Sequence, residues 1–266
     1  MNIVLKVWRQ ESPAADGRFV DYPLNGPDTD IDIDTDIERG WMLLDALDAL
    51  NEKLVAAGER PIAFDSDCRE GICGACGLVV NGLAHGGTPR TTTCELSVRA
   101  ALASSASTTN GTRVIVLEPF RTGAFPVVCD LVVDRSALDR VIMAGGFVTV
   151  RTGSAPEANM IPIPKSDAEP ALDAASCIGC GACVAACPNG AAALFAGAKA
   201  SHLGRTPQGK PEQSRRALAL VGTLADAGFG PCSLHGECEA ACPKDIRTDV
   251  IARLNADTLR ARLGRR

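Results

Sequence analysis

Twelve cysteines stand in this chain, and all but Cys129 fall into three short groups with related spacings. The first is Cys68, Cys73 and Cys76 in DCREGICGACGLVVNG, with Cys94 following in TTTCEL. The second is Cys177, Cys180, Cys183 and Cys187 in CIGCGACVAACP. The third is CSLHGECEAACPK, where Cys232, Cys238 and Cys242 repeat the frame of the second and His235 stands where its second cysteine would be. Thiols this dense must converge on something, and a disulfide staple, a zinc site and an iron–sulfur cluster are the three candidates. The amino terminus, MNIVLKVWRQ, lacks an apolar signal core and an Arg-rich transit pattern, so a reducing cytoplasm is the expected setting and disulfides are disfavoured.

The spacings decide between the other two. C-x4-C-x2-C with a distant fourth cysteine is the plant-type arrangement for a [2Fe-2S] cluster, here Cys68, Cys73, Cys76 and Cys94. Gly71, Gly74 and Gly77 let the backbone curl around such a group and aim N–H donors at its sulfurs. A zinc ribbon would instead show paired C-x2-C units. C-x2-C-x2-C-x3-C-P is the spacing of two-cluster bacterial ferredoxins, in which the last cysteine crosses to the other cluster. Exchanging the crossing ligands gives Cys177, Cys180, Cys183 and Cys242 for a [4Fe-4S] cluster. It leaves Cys187, Cys232 and Cys238 for a second site, and three thiolates suit [3Fe-4S]. His235 is expected on the outer surface of that site, since imidazole ligation of a fourth iron is the rarer outcome. Cys129 is left over and reads as a buried small hydrophobe.

Alternation of Ile3, Leu5 and Val7 predicts a strand, with RFVDYPL as its hairpin partner after ADG. Leu43, Leu47, Leu50 and Leu54 in WMLLDALDALNEKLVAAG predict an amphipathic helix stopped by Gly58. Further short strands are expected at GLVVNG and TRVIVLE in an otherwise turn-rich segment. Before the helix, Asp28, Asp30, Asp32, Asp34 and Asp36 lack the glycine of a calcium loop and read as a solvated acidic edge or docking surface. After Pro126, helical spacing dominates SALDRVIMAGG, GAAALFAGAKA, RRALALVGTLADAG and TDVIARLNADTL. The four prolines of GSAPEANMIPIPKSDAEP predict an extended arm or linker. The fold class is therefore α+β, with a small α+β domain over residues 1–122 and a helical domain over residues 123–266.

No apolar run approaches the roughly 18 residues of a membrane helix; the longest is VIMAGGFVTV. A net charge of −5 and a single tyrosine argue against a nucleic-acid surface. No GxGxxG follows a strand, so dinucleotide or flavin binding is not expected of this chain. Three clusters form a relay for single electrons, and substrate chemistry falls to a partner.

DCREGICGACGLVVNG, CIGCGACVAACPNG and CEAACPK together resemble the iron–sulfur subunits of succinate dehydrogenase and fumarate reductase, from LLDALDAL to the final cysteine group. The resemblance implies a plant-type ferredoxin-like β-grasp domain followed by an all-α bacterial-ferredoxin-like domain. It also implies a succinate:quinone oxidoreductase in which a flavoprotein subunit carries FAD and the dicarboxylate site. A membrane anchor would bind quinone, sometimes with haem, and this chain would sit peripherally on the cytoplasmic face of the bacterial inner membrane. The [2Fe-2S] group would face the flavin and the [3Fe-4S] group the quinone, with Pro188, Ser233 and His235 its candidate neighbours by position. Ala191 and Ala192 occupy the place of a tryptophan found in the ubiquinone-reducing branch, which favours a menaquinone-type branch. The tail LRARLGRR reads as solvated or as a contact for anionic lipid headgroups.

Overall fold

The computed structural model describes residues 2–24, 40–105, 108–109, 111–149 and 163–264, so the aspartate run at 28–36 lies outside the described residues. Two compact units emerge, Met1–Asp134 and Arg135–Arg266.

The first unit is a mixed sheet packed on a helix. Its elements are β1 (Asn2–Arg9), β2 (Arg18–Pro23), α1 (Leu43–Ala56), β3 (Leu78–Val80), β4 (Leu83–Ala84), α2 (Val98–Ala103), β5 (Thr108–Thr109), β6 (Thr112–Pro119), β7 (Val127–Cys129) and β8 (Val132–Val133). The sheet order is β2-β1-β6-β3-β4, with β5 on β6 and a separate β7-β8 pair. β1 pairs antiparallel with β2 and parallel with β6, so the chain between them must cross over, and α1 lies on that crossover. Ile3, Leu5 and Val7 bury one face of β1 against Leu43, Leu47, Leu50 and Leu54 of α1. Each such side chain removed from water contributes about 2 kcal/mol. Gly58, at φ 72, closes the helix as its sequence position predicts.

α1 also holds the segment that leads to the first cysteines. Asn51 donates from Nδ2 to the Ile62 carbonyl at 2.9 Å and accepts the Ile62 N–H at 2.7 Å. Asp130, with no side-chain exposure, accepts from the N–H groups of Gln10 (2.9 Å) and Ala63 (3.0 Å) and pairs with Arg9 and Arg60. Burial alone would raise its pKa, but the Arg60 and N–H donors hold its carboxyl below the usual range. Cys129 departs from expectation: it is half-buried, and its sulfur accepts from Arg60 Nη1 at 3.3 Å. The arginine drawn in by Asp130 reaches it. The β7-β8 pair, which follows residue 122, lies within this first unit.

The regular elements of the second unit's described residues are all helical: α3 (Ser136–Gly145), α4 (Lys165–Ala175), α5 (Ala182–Ala185), α6 (Ala193–Arg205), α7 (Gln213–Asp226), α8 (Glu237–Ala240) and α9 (Asp249–Leu263), with a 3₁₀ turn at Lys210–Glu212. α6 is the hub, buried on almost every side and packed against α4, α7 and α9. Small residues allow this closeness: a Cβ at Gly197 would lie 2.8 Å from the Val250 carbonyl of α9.

The structure corrects one expectation at the C-terminal end of the proline-rich stretch, whose residues 153–162 lie outside the described residues. The proline-rich stretch is helical from Lys165, with Pro170 inside α4, because Ala171 and Ala174 bury on that face and α4 packs on α6. A proline inside a helix costs about 3 kcal/mol, so tertiary packing outweighs it here. The arginine-rich tail is helical through Leu263 and largely exposed, with Arg260 paired to the buried Asp257.

Candidate metal centres

The first cradle is a loop between α1 and β3. Arg69 is fixed by Asp48 and Asp45 of α1 at 2.5 and 3.4 Å. The chain then turns through left-handed Gly71 (φ 67) and Gly74 (φ 74). That curl aims the N–H groups of Glu70, Ile72 and Cys73 at Cys68 Sγ, at 3.4, 3.5 and 3.3 Å, and the Ala75 N–H at Cys73 Sγ at 3.4 Å. These donors, with Glu70 foremost, pull the Cys68 thiol down to about 7. Cys76 is buried and is pushed up to about 12, with Cys94 and Cys73 close enough to act on it electrostatically.

Cys94 comes from a separate turn, Thr93–Glu95, and is likewise buried. Thr92 Oγ1 lies 3.1 Å from its sulfur, and Glu95 accepts from the Thr92 N–H and Oγ1 at 3.4 and 3.0 Å. Any side chain at Gly71 would run into the Glu95 carboxylate, and a Cβ at Gly77 would lie 2.5 Å from the Phe120 ring. The glycines of this motif thus serve two needs: Gly71 combines turn and clearance, whereas Gly77 gives clearance alone.

The second unit builds its cradles as a pair. α5 and α8 each begin after a left-handed glycine, Gly181 (φ 89) and Gly236 (φ 90), and the two short helices pack on each other. Each carries G-x-C-x-x-x-C-P, ending at Cys187-Pro188 and Cys242-Pro243. Cys177, Cys180, Cys183 and Cys242 line one cavity together with Leu194, Phe195 and Ile246. Cys187, Cys232 and Cys238 line another, larger one, together with Ala191, Ser233 and His235. The second half's last cysteine therefore faces the first half's set, and the reverse.

The electrostatics differ between these cavities. Burial drives Cys180 up to about 12 and Cys183 well above its ordinary 9.0, with neighbouring thiols, Cys242 among them, adding to the rise. Burial also raises Cys242 and Cys238. Arg135 Nη1 donates to the Cys180 carbonyl at 3.1 Å and brings a positive charge to this apolar site. The larger cavity opens to solvent: Cys232 is exposed, Leu234 is 72% exposed, and Asn189 Nδ2 donates to Ser233 Oγ at 2.9 Å. Pro188 is exposed on the turn directly after Cys187 and is not one of the residues that line the cavity.

All twelve thiols are free of disulfides. Among the described residues, no three histidines, cysteines or carboxylates converge tightly enough for a single metal ion. A zinc ion would draw its sulfurs to about 3.8 Å of one another, because Zn–S bonds are about 2.3 Å. A cluster has its own body and spaces its thiolates more widely. All-sulfur donor sets and N–H groups aimed at Sγ atoms fit that second geometry. Arg69, Arg135 and His85 meet these sites through tertiary contacts and carry no spacing signature in the sequence; only Arg69's place beside Cys68 could have drawn notice.

Such sites define a class, the iron–sulfur proteins that carry electrons. Residues 5–140 match the model for a 2Fe-2S iron-sulfur cluster binding domain, and residues 173–246 that for a 4Fe-4S dicluster domain. The succinate dehydrogenase iron-sulfur subunit of Bacillus subtilis is 31% identical over 76% of this chain and 74% of its own length. A subunit of the fumarate reductase (CoM/CoB) of Methanothermobacter marburgensis is 28% identical over 84% of this chain, which spans only 39% of that protein. A chain of the Mycobacterium smegmatis Sdh1 complex in the apo form shares the fold, with a TM-score of 0.62 at 18% identity, covering 96% of this chain and 94% of that one. The chain belongs to the family of succinate dehydrogenase and fumarate reductase iron–sulfur subunits, and electron transfer is its role.

Proposed function

We propose that this chain relays electrons between FAD on a flavoprotein subunit and quinone at a membrane anchor, peripheral to the cytoplasmic face of the bacterial inner membrane. No helix among the described residues is long and apolar enough to cross a membrane, which suits an anchor supplied by another chain. The first unit is read as a plant-type ferredoxin-like β-grasp and the second as a bacterial-ferredoxin-like helical domain. Cys68, Cys73, Cys76 and Cys94 would hold [2Fe-2S]; Cys177, Cys180, Cys183 and Cys242 would hold [4Fe-4S]; Cys187, Cys232 and Cys238 would hold [3Fe-4S].

The observation that carries this reading is the exchange between the halves, with Cys242 lining the cavity of Cys177, Cys180 and Cys183 while Cys187 lines that of Cys232 and Cys238. When bound, the clusters supply one-electron steps at potentials set by type, charge and hydrogen bonding. The chain's own contribution is to fix the thiolates, stabilise their charge with N–H donors in the first unit, and keep water out with Leu194, Phe195 and Ile246 in the second. Ser233 and His235 line the solvent-open cavity and offer hydrogen bonds to a quinone headgroup held by an anchor, with or without haem. The alanines at 191 and 192 favour a menaquinone-type partner.

Iron analysis and stepwise reduction test this. The chain should carry about nine irons and show three distinct paramagnetic centres. A colourless, redox-silent protein containing zinc, or about four irons or fewer, would overturn it.

A further inference from the structure

We propose that His85 is a positioning residue for the first metal centre, bracing the turn that carries Cys94 against the loop that carries Cys68, Cys73 and Cys76. The inference rests on the ligand set proposed above. His85 leaves the β3-β4 hairpin at φ 56, and its own N–H donates to the Leu78 carbonyl at 2.9 Å, so its backbone is tied to β3. Its side chain is buried, at 2% exposure. Nδ1 lies 3.1 Å from the Thr93 backbone nitrogen and 2.9 Å from Thr93 Oγ1. A backbone N–H can only donate, so Nδ1 is the acceptor and the ring proton sits on Nε2.

Thr93 is itself fully buried, and its N–H would lose this partner without the imidazole. The next residue is Cys94. On its other side the His85 ring meets Phe120 edge-on, centroids 5.3 Å apart at 74°, and Phe120 backs onto Gly77, beside Cys76. One side chain therefore touches the scaffolds of both ligand-bearing segments. Such a brace fixes the depth of the fourth thiolate relative to the first three. Placement of the sulfurs and their N–H donors tunes a cluster's potential and its retention.

The test uses the cluster-loaded chain in its complex with two variants. His85→Phe keeps a ring on Phe120 but removes the acceptor; His85→Asn removes the ring but offers an amide oxygen to the Thr93 N–H. His85→Phe should change the EPR line shape and shift the midpoint potential of the first centre, and should speed its loss to a chelator several-fold. His85→Asn should restore most of the native behaviour, with the second and third centres unchanged in both. A His85→Phe protein with a native first centre, or with all three centres disturbed alike, would overturn the proposal. Should His85→Phe fail to accumulate, a disturbed first centre in His85→Asn would overturn it equally. A wild-type protein without any first centre would instead refute the ligand set on which the proposal rests.

Discussion

The two units answer one problem, holding negative sulfur in a folded chain, in opposite ways. In the first, Cys68 sits near the surface among three backbone N–H donors and is drawn down to about 7. In the second, Cys180 and Cys183 lie in an apolar cavity and are driven up, Cys180 to about 12. A loop that curls through left-handed glycines solvates thiolates with its own amides before any metal arrives. The second unit aims amides at sulfur as well, the Ile246 N–H reaching Cys242 Sγ at 3.4 Å, but there burial outweighs them. The division is not complete, because Cys76 of the first unit is buried and high as well. What separates Cys68 from Cys180 and Cys183 is whether amide donors or burial prevails at the sulfur.

The largest effect that could break this comparison comes from two glycines. Gly197→Val should force α6 from α9, since even a Cβ would lie 2.8 Å from the Val250 carbonyl. Overpacking of this kind costs about 1–3 kcal/mol, and the second and third centres should fall together while the first survives. Gly71→Ala should do the reverse, losing the first centre alone: its φ of 67 costs a non-glycine residue roughly 1–2 kcal/mol before the Glu95 clash is counted. EPR of the three centres and thermal melting of the loaded protein read both outcomes.

A smaller effect sharpens the comparison through pH. In metal-free, reduced protein, Cys68 should be alkylated readily at about pH 7.5, whereas Cys180 and Cys183 should react only after unfolding. Because the folded value of Cys68 lies below the ordinary 9.0, its stabilising contribution is complete above that ordinary value and is lost as pH falls through about 7. Cys180 has the opposite sign, and stability it would otherwise leave untouched is lost as pH climbs from 9.0 toward about 12. Mass spectrometry of alkylated peptides across this range gives the order directly.

Much of the site could be read from sequence because ligand spacing is a local property: a C-x-x-C frame survives whatever surrounds it. The echo G-x-C-x-x-x-C-P pointed to partner exchange for the same reason. The alternation of Ile3, Leu5 and Val7 and the leucine spacing of α1 were equally visible. Where tertiary packing decides, the sequence was silent or misleading. Pro170 argued for an extended arm, yet burial of Ala171 and Ala174 gives a helix. α2 went unseen because its six residues are too few for periodicity, although Ser97, whose Oγ accepts the Ala100 N–H at 3.2 Å, marks its start. His85 has no motif at all; its role follows only from the meeting of β3, the Cys94 turn and Phe120.

In the relay proposed here, exchange of ligands between the two halves of the second unit would turn repeated cysteines into adjoining stations for an electron. Cys242→Ser, followed by EPR and Mössbauer spectroscopy of the purified complex, probes it at a single atom. Selective damage to the four-iron centre, with the three-iron signal intact, is the result that the shared cavity requires. Loss of the three-iron signal alone would mean that each stretch of sequence serves its own site, and the relay described here would be wrong.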